Sequence, residues 1–164
     1  MIQIRAYDKR DWDGLWRIME PVFRAGDTHP VDPAIEEPEA LHYWTEIPTQ
    51  VYVAVDGFGR IVGSYHLKPN QPPLGAHVCN CGYLVAEEAR RQGIGTALCE
   101  HSQREARALG YRAMQYNLVV STNHAAVALW KRQGFEIVGT LPGAFKHAQN
   151  GYVDALVMYK ALVD

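Results

Sequence analysis

A glycine turn in the second half of the chain constrains the fold more than any other segment. The turn, Gln92-Gly93-Ile94-Gly95, follows a run typical of a strand, Ala76–Val85, and opens a run typical of a helix, Gly93–Leu109. Glycine lets a backbone approach a ligand without a Cβ clash, and the free N–H groups of a helix's first turn attract anions. Arg90 and Arg91 add positive charge beside the turn. The segment therefore predicts a site for a ligand that carries a pyrophosphate.

Two common nucleotide-binding motifs do not fit this turn. No Gly-Lys-Ser/Thr follows it, so it is not a Walker A loop. The third glycine of a Rossmann fingerprint is missing, and the turn lies in the middle of the chain rather than after a first strand. A tight strand-to-helix turn that binds nothing remains the alternative to a ligand site.

Hydrophobic periodicity divides the rest of the chain into alternating strands and helices. The predicted helices lie at Trp12–Phe23, weakly within Pro33–Ile47, at Gly93–Leu109 and at Thr122–Gln133. The predicted strands are Met1–Tyr7, Val51–Val55, Ile61–Leu67, Ala76–Val85, Tyr111–Val120, Phe135–Thr140 and Tyr152–Leu162, with a loop holding Pro142 and Gly143 between the last two. This order predicts a mixed sheet with helices packed on it, in one α/β domain over residues 1–164.

Composition narrows the class of protein. The chain has 164 residues, of which 48% are hydrophobic, so it can bury a core, and its formal net charge of -2 leaves no basic surface for a nucleic acid or a membrane. No apolar stretch approaches the ~20 residues of a membrane helix, and no signal peptide is visible. Three cysteines, Cys79, Cys81 and Cys99, favour a reducing compartment. We therefore expect a cytoplasmic protein without nucleic-acid or membrane partners.

Two sequence blocks resemble the GCN5-related N-acetyltransferase (GNAT) family. The first is Arg90-x-x-Gly93-x-Gly95 after Tyr83-Leu84-Val85. The second, Asn123-x-x-Ala126-x-x-Leu129-Trp130-x-Arg132-x-Gly134-Phe135, is similar to the family's Asn-x-x-Ala-x-x-Leu-Tyr-x-Lys-x-Gly-Phe helix. The resemblance implies a GNAT fold: a mostly antiparallel central sheet of about seven strands that splays at its middle, with helices on both faces. It also implies an N-acetyltransferase with acetyl-CoA as co-substrate and no metal.

The resemblance assigns roles to the donor side of the site. Main-chain groups of Leu84 and Val85 would pair with the pantetheine arm, and Asn123 would hydrogen-bond it, although a plain helix N-cap is the alternative for Asn123. The resemblance also implies acetyl-CoA contacts from the glycine turn and the start of its helix: Arg90, Arg91, Gln92, Gly93, Ile94, Gly95, Thr96 and Ala97. In the second block it implies contacts from Ala126 and Trp130.

Trp130 departs from the family pattern, in which a tyrosine often protonates the leaving thiolate. An indole N–H donates a hydrogen bond but does not release its proton at useful pH. We expect Trp130 to pack in the core rather than act as an acid. A thiol pKa near ~8.5 makes the thiolate a tolerable leaving group without one.

No carboxylate occupies the strand before the glycine turn, where the family frequently has a glutamate base. Instead Asn80 lies inside that strand and Asn117 inside the next. Two interpretations are open: a buried pair bonded to each other, or two residues that line the acceptor site. These asparagines and the Leu-Trp variant resemble the GNAT subgroup that includes fungal acetyltransferases of proline analogues such as azetidine-2-carboxylate. In that subgroup the matching asparagines serve the acceptor and the catalytic step.

These features predict acetyl transfer to a small, amino-acid-like amine by direct attack in a ternary complex. A protein N-terminus, an aminoglycoside or a herbicide is the alternative acceptor, and a non-catalytic acyl-CoA sensor is the alternative function. The loop Gly26–Pro30 is placed to cover the acceptor, and His77 is a further candidate base. Cys79 and Cys81 share a strand face but lack further metal ligands, so we expect core thiols. Exposed edge strands make a homodimer a further expectation.

Overall fold

The computed structural model describes residues 1–164 and contains one seven-stranded sheet of order β1-β2-β3-β4-β5-β7-β6. The strands are β1 Gln3–Ala6, β2 Gln50–Val55, β3 Ile61–Pro69, β4 Val78–Val85, β5 Ala113–Val120, β6 Glu136–His147 and β7 Gly151–Ala161. The helices are α1 Trp12–Ala25, α2 Glu37–Leu41, α3 Ile94–Ala108 and α4 His124–Arg132. Every neighbouring pair is antiparallel except β4 and β5, which are parallel. The mostly antiparallel α/β sheet of seven strands predicted from the sequence is confirmed.

The sheet opens between β4 and β5. Their ladder has two positions, Val78 opposite Ala113 and Cys79 opposite Met114. Beyond these, β4 runs on to Val85 while β5 runs on to Val120 without further pairing. The predicted splay of the sheet is therefore present, and it begins at the N-terminal ends of both strands.

Helices cover both faces of the sheet. On one face, Trp44 lies in a π-helical turn that continues α2 and donates from Nε1 to Ser64 of β3. On the other face, α3 meets the sheet through Tyr83 and Ser102, whose hydroxyls are 2.7 Å apart. Trp130 of α4 packs on the same Tyr83, with ring centroids 4.8 Å apart. Alternate residues of β4 therefore face α1 and α2, or α3 and α4.

The structure corrects one predicted element boundary. Pro142 and Gly143 lie within β6, at an irregularity between Leu141 and Phe145, and not in a loop. The chain turns later, between His147 and Gly151. Because β6 is the edge of the sheet, a proline that lacks an N–H donor is tolerated there at a bulge. No helix of the protein is long and apolar enough to cross a bilayer.

Candidate active site

A cleft of about 860 Å³ occupies the gap between β4 and β5. Nine of the residues predicted from the sequence line it: Asn80, Leu84, Val85, Arg90, Gly95, Asn117, Asn123, Ala126 and Trp130. They come from both separated strands, from the turn before α3 and from α4. The split in the sheet therefore brings the two sequence blocks and the two asparagines to one opening.

The remaining predicted residues, Arg91, Gln92, Gly93, Ile94, Thr96 and Ala97, form the turn and the first turn of α3 and are not part of the cleft wall. Arg91 and Gly93 have positive φ angles of 63° and 78°, and Arg91 is the single non-glycine residue with one. No side chain caps the helix, so the first N–H groups of α3 are free. The Ile94 side chain is buried in the core, which leaves its main chain for any ligand. A left-handed residue beside a free helix N-terminus forms an anion-binding concavity.

Gly95 of the first sequence block packs closely against Leu129 of the second. A Cβ built on this residue would lie 3.1 Å from Leu129 Cδ2 of α4. Its φ is not positive, so a side chain here would meet the close approach of α4 and not backbone strain. The sequence analysis attributed both glycines to ligand approach, and the structure adds this packing role for Gly95.

The exposed edge of β4 offers main-chain groups to the cleft. β3 pairs with one edge of β4 through Ser64 opposite Leu84 and Gly63 opposite Val85, while the other edge has no strand partner beyond Cys79. The Leu84 side chain is 3% exposed and belongs to the core, so only its main chain is available. An extended ligand can pair with such an edge in the manner of an added strand.

Asn123 and Trp130 have the structural roles that the sequence analysis weighed. Asn123 is the N-cap of α4, and its Oδ1 accepts from the N–H of Ala126 at 3.3 Å. Trp130 is 8% exposed and packs between Tyr83 and Tyr116, with ring centroids 4.8 and 4.9 Å away. Packing is thus the main role visible for Trp130, which also forms part of the cleft wall.

The phenols nearest Trp130 already have protein partners. The Tyr83 hydroxyl lies 2.7 Å from Ser102 Oγ and 2.9 Å from the Tyr116 hydroxyl, and Tyr116 also contacts Cys99 Sγ at 3.7 Å. Burial raises the pKa of both tyrosines well above the ordinary value. These hydroxyls therefore remain neutral and hold the α3 face of the site together.

Asn80 and Asn117 do not bond to each other. Asn80 Nδ2 donates to the main-chain carbonyl of Gln115 at 2.9 Å, and Asn117 Nδ2 donates to Asn70 Oδ1 at 2.7 Å. Asn80 is half-buried and Asn117 is exposed, and both line the cleft. The interpretation of a mutually bonded buried pair is therefore wrong, because each side chain is held by a different neighbour.

Two segments remote in sequence meet at the rim of the cleft. The main-chain N–H of Ala148, in the turn between β6 and β7, donates to the carbonyl of Gly26 at 3.0 Å. This bond ties that turn to the loop after α1. The cleft residues they supply are Asp27, Thr28, His29, Pro30, His147, Gln149 and Asn150.

Four histidines line the cleft, His29, His66, His124 and His147, and the sequence analysis named none of them as a site residue. Burial lowers the pKa of His29 to about 4 and that of His66 to about 3, so both imidazoles are neutral near pH 7. His66 lies over Gly82 of β4, where a Cβ would meet its Nε2. His77, the predicted candidate base, is exposed and is not part of the cleft wall. The sequence contained one sign of this polar surface. Every second residue along part of β3 is polar (Ser64, His66 and Lys68), which indicates that one face of the strand is not packed only against hydrophobic side chains.

The cysteines are all free and buried. Burial is the main cause that raises the pKa of the Cys81 and Cys99 thiols. The protein contains no group of three or more His, Cys, Asp or Glu side chains arranged to hold a metal ion. The thiols therefore lie in the core, as the strand pattern predicted.

Known proteins share this architecture. The model of the Acetyltransferase (GNAT) family matches residues 12–135. A GCN5-related N-acetyltransferase from Kribbella flavida is 38% identical with a TM-score of 0.92, over 98% of this chain and 97% of that one. N-acetyltransferase aca1 of Schizosaccharomyces pombe is 29% identical in an alignment of 148 positions that covers 80% of this chain and 71% of the relative. A phosphinothricin acetyltransferase from Sinorhizobium meliloti, solved in complex with AcCoA, is 20% identical with a TM-score of 0.87, over 99% of this chain and 89% of that one.

The split sheet, the uncapped helix after a glycine turn and these matches together define an acetyl-CoA-dependent N-acetyltransferase. The chain belongs to the GNAT family of acetyltransferases. The resemblance predicted from the two sequence blocks is confirmed, and the fission yeast relative agrees with the subgroup of fungal enzymes.

Proposed function

We propose that the protein transfers an acetyl group from acetyl-CoA to the amine of a small, amino-acid-like molecule, by direct attack within a ternary complex. Residues 1–164 act as one domain in this reaction. The observation that carries the proposal is the cleft between β4 and β5. Arg90 of the glycine turn lines this cleft, and so do Asn80, Asn117 and polar residues of the loop after α1 and of the β6–β7 turn.

The donor side of the cleft fits acetyl-CoA. Main-chain N–H groups of Gln92–Ala97, together with Arg90 and Arg91, would hold the pyrophosphate. The N–H of Ala97 already donates to the carbonyl of Gly93 at 3.0 Å, so the free donors are those that precede it. The unpaired edge of β4 at Leu84 and Val85 would pair with the pantetheine arm and donate to the acetyl oxygen. Asn123, Ala126 and Trp130 line the opposite wall. Acetyl-CoA supplies a thioester whose acetyl carbon is electrophilic.

The acceptor side requires an amine that is neutral when it attacks. Asn80 and Asn117 would hold the acceptor or a water molecule that takes its proton, since no carboxylate lies on β4. The rim formed by Asp27–Pro30 and the β6–β7 turn supports a small acceptor over an extended peptide. The name of the Sinorhizobium meliloti neighbour, a phosphinothricin acetyltransferase, supports a small-molecule acceptor on this fold.

A thiol-release assay tests the proposal. The protein is incubated with acetyl-CoA and a panel that contains amino acids, prolines, aminoglycosides and an N-terminal peptide, and free CoA is followed with a thiol reagent. Because all three protein cysteines are buried, the native enzyme should add little background. Turnover with small amino or imino acids supports the proposal. Tight acetyl-CoA binding by calorimetry without turnover on any amine would instead identify a sensor.

We further propose that the enzyme works in the cytoplasm as a homodimer. Three unpaired cysteines support a reducing compartment. The edge strand β6 and its neighbour β7 expose Ile137, Val138, Leu141 and Tyr152, which a second copy would cover. Light scattering should give twice the chain mass, and Val138→Lys should give a monomer. Cell fractionation checks the compartment.

A further inference from the structure

The acceptor side of the cleft contains two opposite charges that the protein does not neutralise. Asp27 is the single carboxylate of the cleft wall, and Lys68 and Arg90 are its cations. Arg90 belongs to the glycine turn and is accounted for by the donor. Neither Asp27 nor Lys68 takes part in a salt bridge. One anion and one cation are therefore left for the acceptor.

Lys68 is placed next to the predicted acceptor residues. In the antiparallel β3–β4 pair it lies directly opposite Asn80, so the two side chains share the face of the sheet that is covered by α1. Lys68 is half-buried, and its charge adds to the burial that lowers the pKa of His66. An ammonium group that is partly removed from water and has no carboxylate partner is a strong site for an anion.

Asp27 lies in the loop at the rim of the same cleft. It is half-buried and follows Gly26, whose carbonyl is fixed by Ala148. Its negative charge acts on His29, where it opposes the larger effect of burial on the pKa. The loop thus brings one carboxylate to the side of the cleft across from the sheet.

Two buried polar atoms in this region also lack partners. His66 is 4% exposed, and its Nδ1 makes no hydrogen bond, nor does the buried Oγ1 of Thr28. A buried donor or acceptor without a partner is destabilising. Both residues line the cleft, so a polar ligand there would offer them partners.

This charge inventory discriminates between acceptor classes. An aminoglycoside carries several ammonium groups, and one carboxylate does not balance them. A peptide N-terminus presents an amide where Lys68 offers a cation. A free amino or imino acid carries one ammonium group, which complements Asp27, and one carboxylate, which complements Lys68.

We propose that Lys68 binds the carboxylate of a zwitterionic acceptor while Asp27 attracts its ammonium group. The enzyme then selects free amino or imino acids over their amides, esters and decarboxylated amines. This inference rests on the proposed acetyl transfer and names the group that the acceptor must carry. Asn80, opposite Lys68, would bind the same carboxylate with its remaining N–H.

The test compares acceptors that differ in one charge: proline, prolinamide and pyrrolidine, with alanine and alaninamide as an acyclic pair. The wild-type enzyme should prefer each acid to its amide in kcat/KM. Lys68→Met should lower kcat/KM for the acids by about tenfold to a hundredfold, the value of one charge-assisted hydrogen bond, and change the amides about twofold or less. Asp27→Asn should lower kcat/KM for the acids and for the amides alike, because both kinds of acceptor carry the ammonium group. Lys9→Met, at an exposed lysine outside the cleft, is the matched control.

A binding measurement separates this inference from the proposed function. Each acceptor is titrated by calorimetry into the protein saturated with CoA, so no turnover is needed. Lys68-dependent binding of the acids without any thiol release would contradict acetyl transfer but uphold charge selection. Charge selection is overturned if acid and amide bind and react equally in the wild type, if Lys68→Met weakens both equally, or if no acid binds at millimolar concentration.

Discussion

Asn80 Nδ2 donates to the main-chain carbonyl of Gln115 at 2.9 Å, one residue beyond the last paired position of β4 and β5. The side chain thus bridges the two strands at the vertex of the split, where main-chain pairing has ended. The same residue lines the cleft and faces Lys68 across the sheet. Asn80 therefore both shapes the opening and borders the space that we assign to the acceptor.

Asn80→Ala should lower turnover more than it lowers stability. Loss of one neutral hydrogen bond costs about 1 kcal/mol of unfolding free energy, while loss of an acceptor contact should lower kcat/KM at least about tenfold. The KM for acetyl-CoA should stay near the wild-type value, because the donor contacts lie further along β4. Thiol-release kinetics and denaturant unfolding measure the two effects.

The control for Asn80 is Gln3→Ala, which removes an exposed strand amide on β1 at the other side of the sheet. Asn117→Ala should show the same kinetic pattern as Asn80→Ala, since Asn117 also lines the cleft. Full activity in both asparagine variants would mean that the two side chains serve only the fold.

The donor side of the site could be predicted from the sequence because it is built from contiguous blocks. A strand, a glycine turn and a helix start lie within about one supersecondary unit, and local rules determine their geometry. The two asparagines could be predicted to share an opening because their strands are neighbours. Their partners could not, since Gln115 contributes a main-chain carbonyl and Asn70 comes from the loop after β3.

Most residues that we assign to the acceptor could not be predicted from the sequence, because tertiary contacts bring them together. Asp27 and His29 follow α1, while His66 and Lys68 lie on β3. Only the folded sheet and the bond from Ala148 to Gly26 bring these segments together. Polar residues alternating along β3 were the one local sign, and a strand face that carries Ser64, His66 and Lys68 is unusual for a buried centre strand.

Gly95→Ala should destabilise the packing of α3 on α4. The added Cβ would lie 3.1 Å from Leu129 Cδ2, so Leu129 or the helix that carries it has to move by a few tenths of an ångström. Overpacking that displaces a helix costs about 1–3 kcal/mol. A shift of either helix also disturbs the phosphate-binding turn, so the KM for acetyl-CoA should rise. Thermal unfolding and donor titrations measure both changes.

A double variant identifies the cause of the Gly95 effect. Gly95→Ala combined with Leu129→Ala should be less destabilised than the sum of the single variants, because truncation of Leu129 removes the clashing methyl group. Gly57→Ala is the matched control, since a Cβ there meets no atom within 4 Å and its φ is not positive. Additive losses would assign the role of Gly95 to the ligand and not to Leu129.

Trp130→Phe should keep turnover within about threefold of the wild type, because the indole donates no proton to the leaving thiolate. The smaller ring loses part of its contact with Tyr83 and Tyr116, so stability should fall by about 1–2 kcal/mol. Phe135→Leu is the control, since Phe135 stacks on Tyr116 in the same cluster but is not part of the cleft wall. A loss of turnover of about a hundredfold or more in Trp130→Phe alone would assign the indole N–H a part in the chemistry.

Acid should destabilise the protein through two of the cleft imidazoles, those of His29 and His66. Burial lowers the pKa of His29 to about 4 and that of His66 to about 3, from the ordinary 6.5. Below pH 6.5 the unfolded chain therefore binds more protons than the folded protein. Each imidazole thus contributes stability that is fully present above pH 6.5 and is lost as the pH falls towards its folded pKa.

Denaturant unfolding from about pH 7.5 to about pH 4.5 measures this loss, and the slope for one buried imidazole approaches about 1.4 kcal/mol per pH unit. His66→Gln should have a shallower slope than the wild type, because glutamine does not titrate while the carboxylates titrate in both proteins. Equal slopes for His66→Gln and the wild type would contradict a neutral His66 in the folded protein.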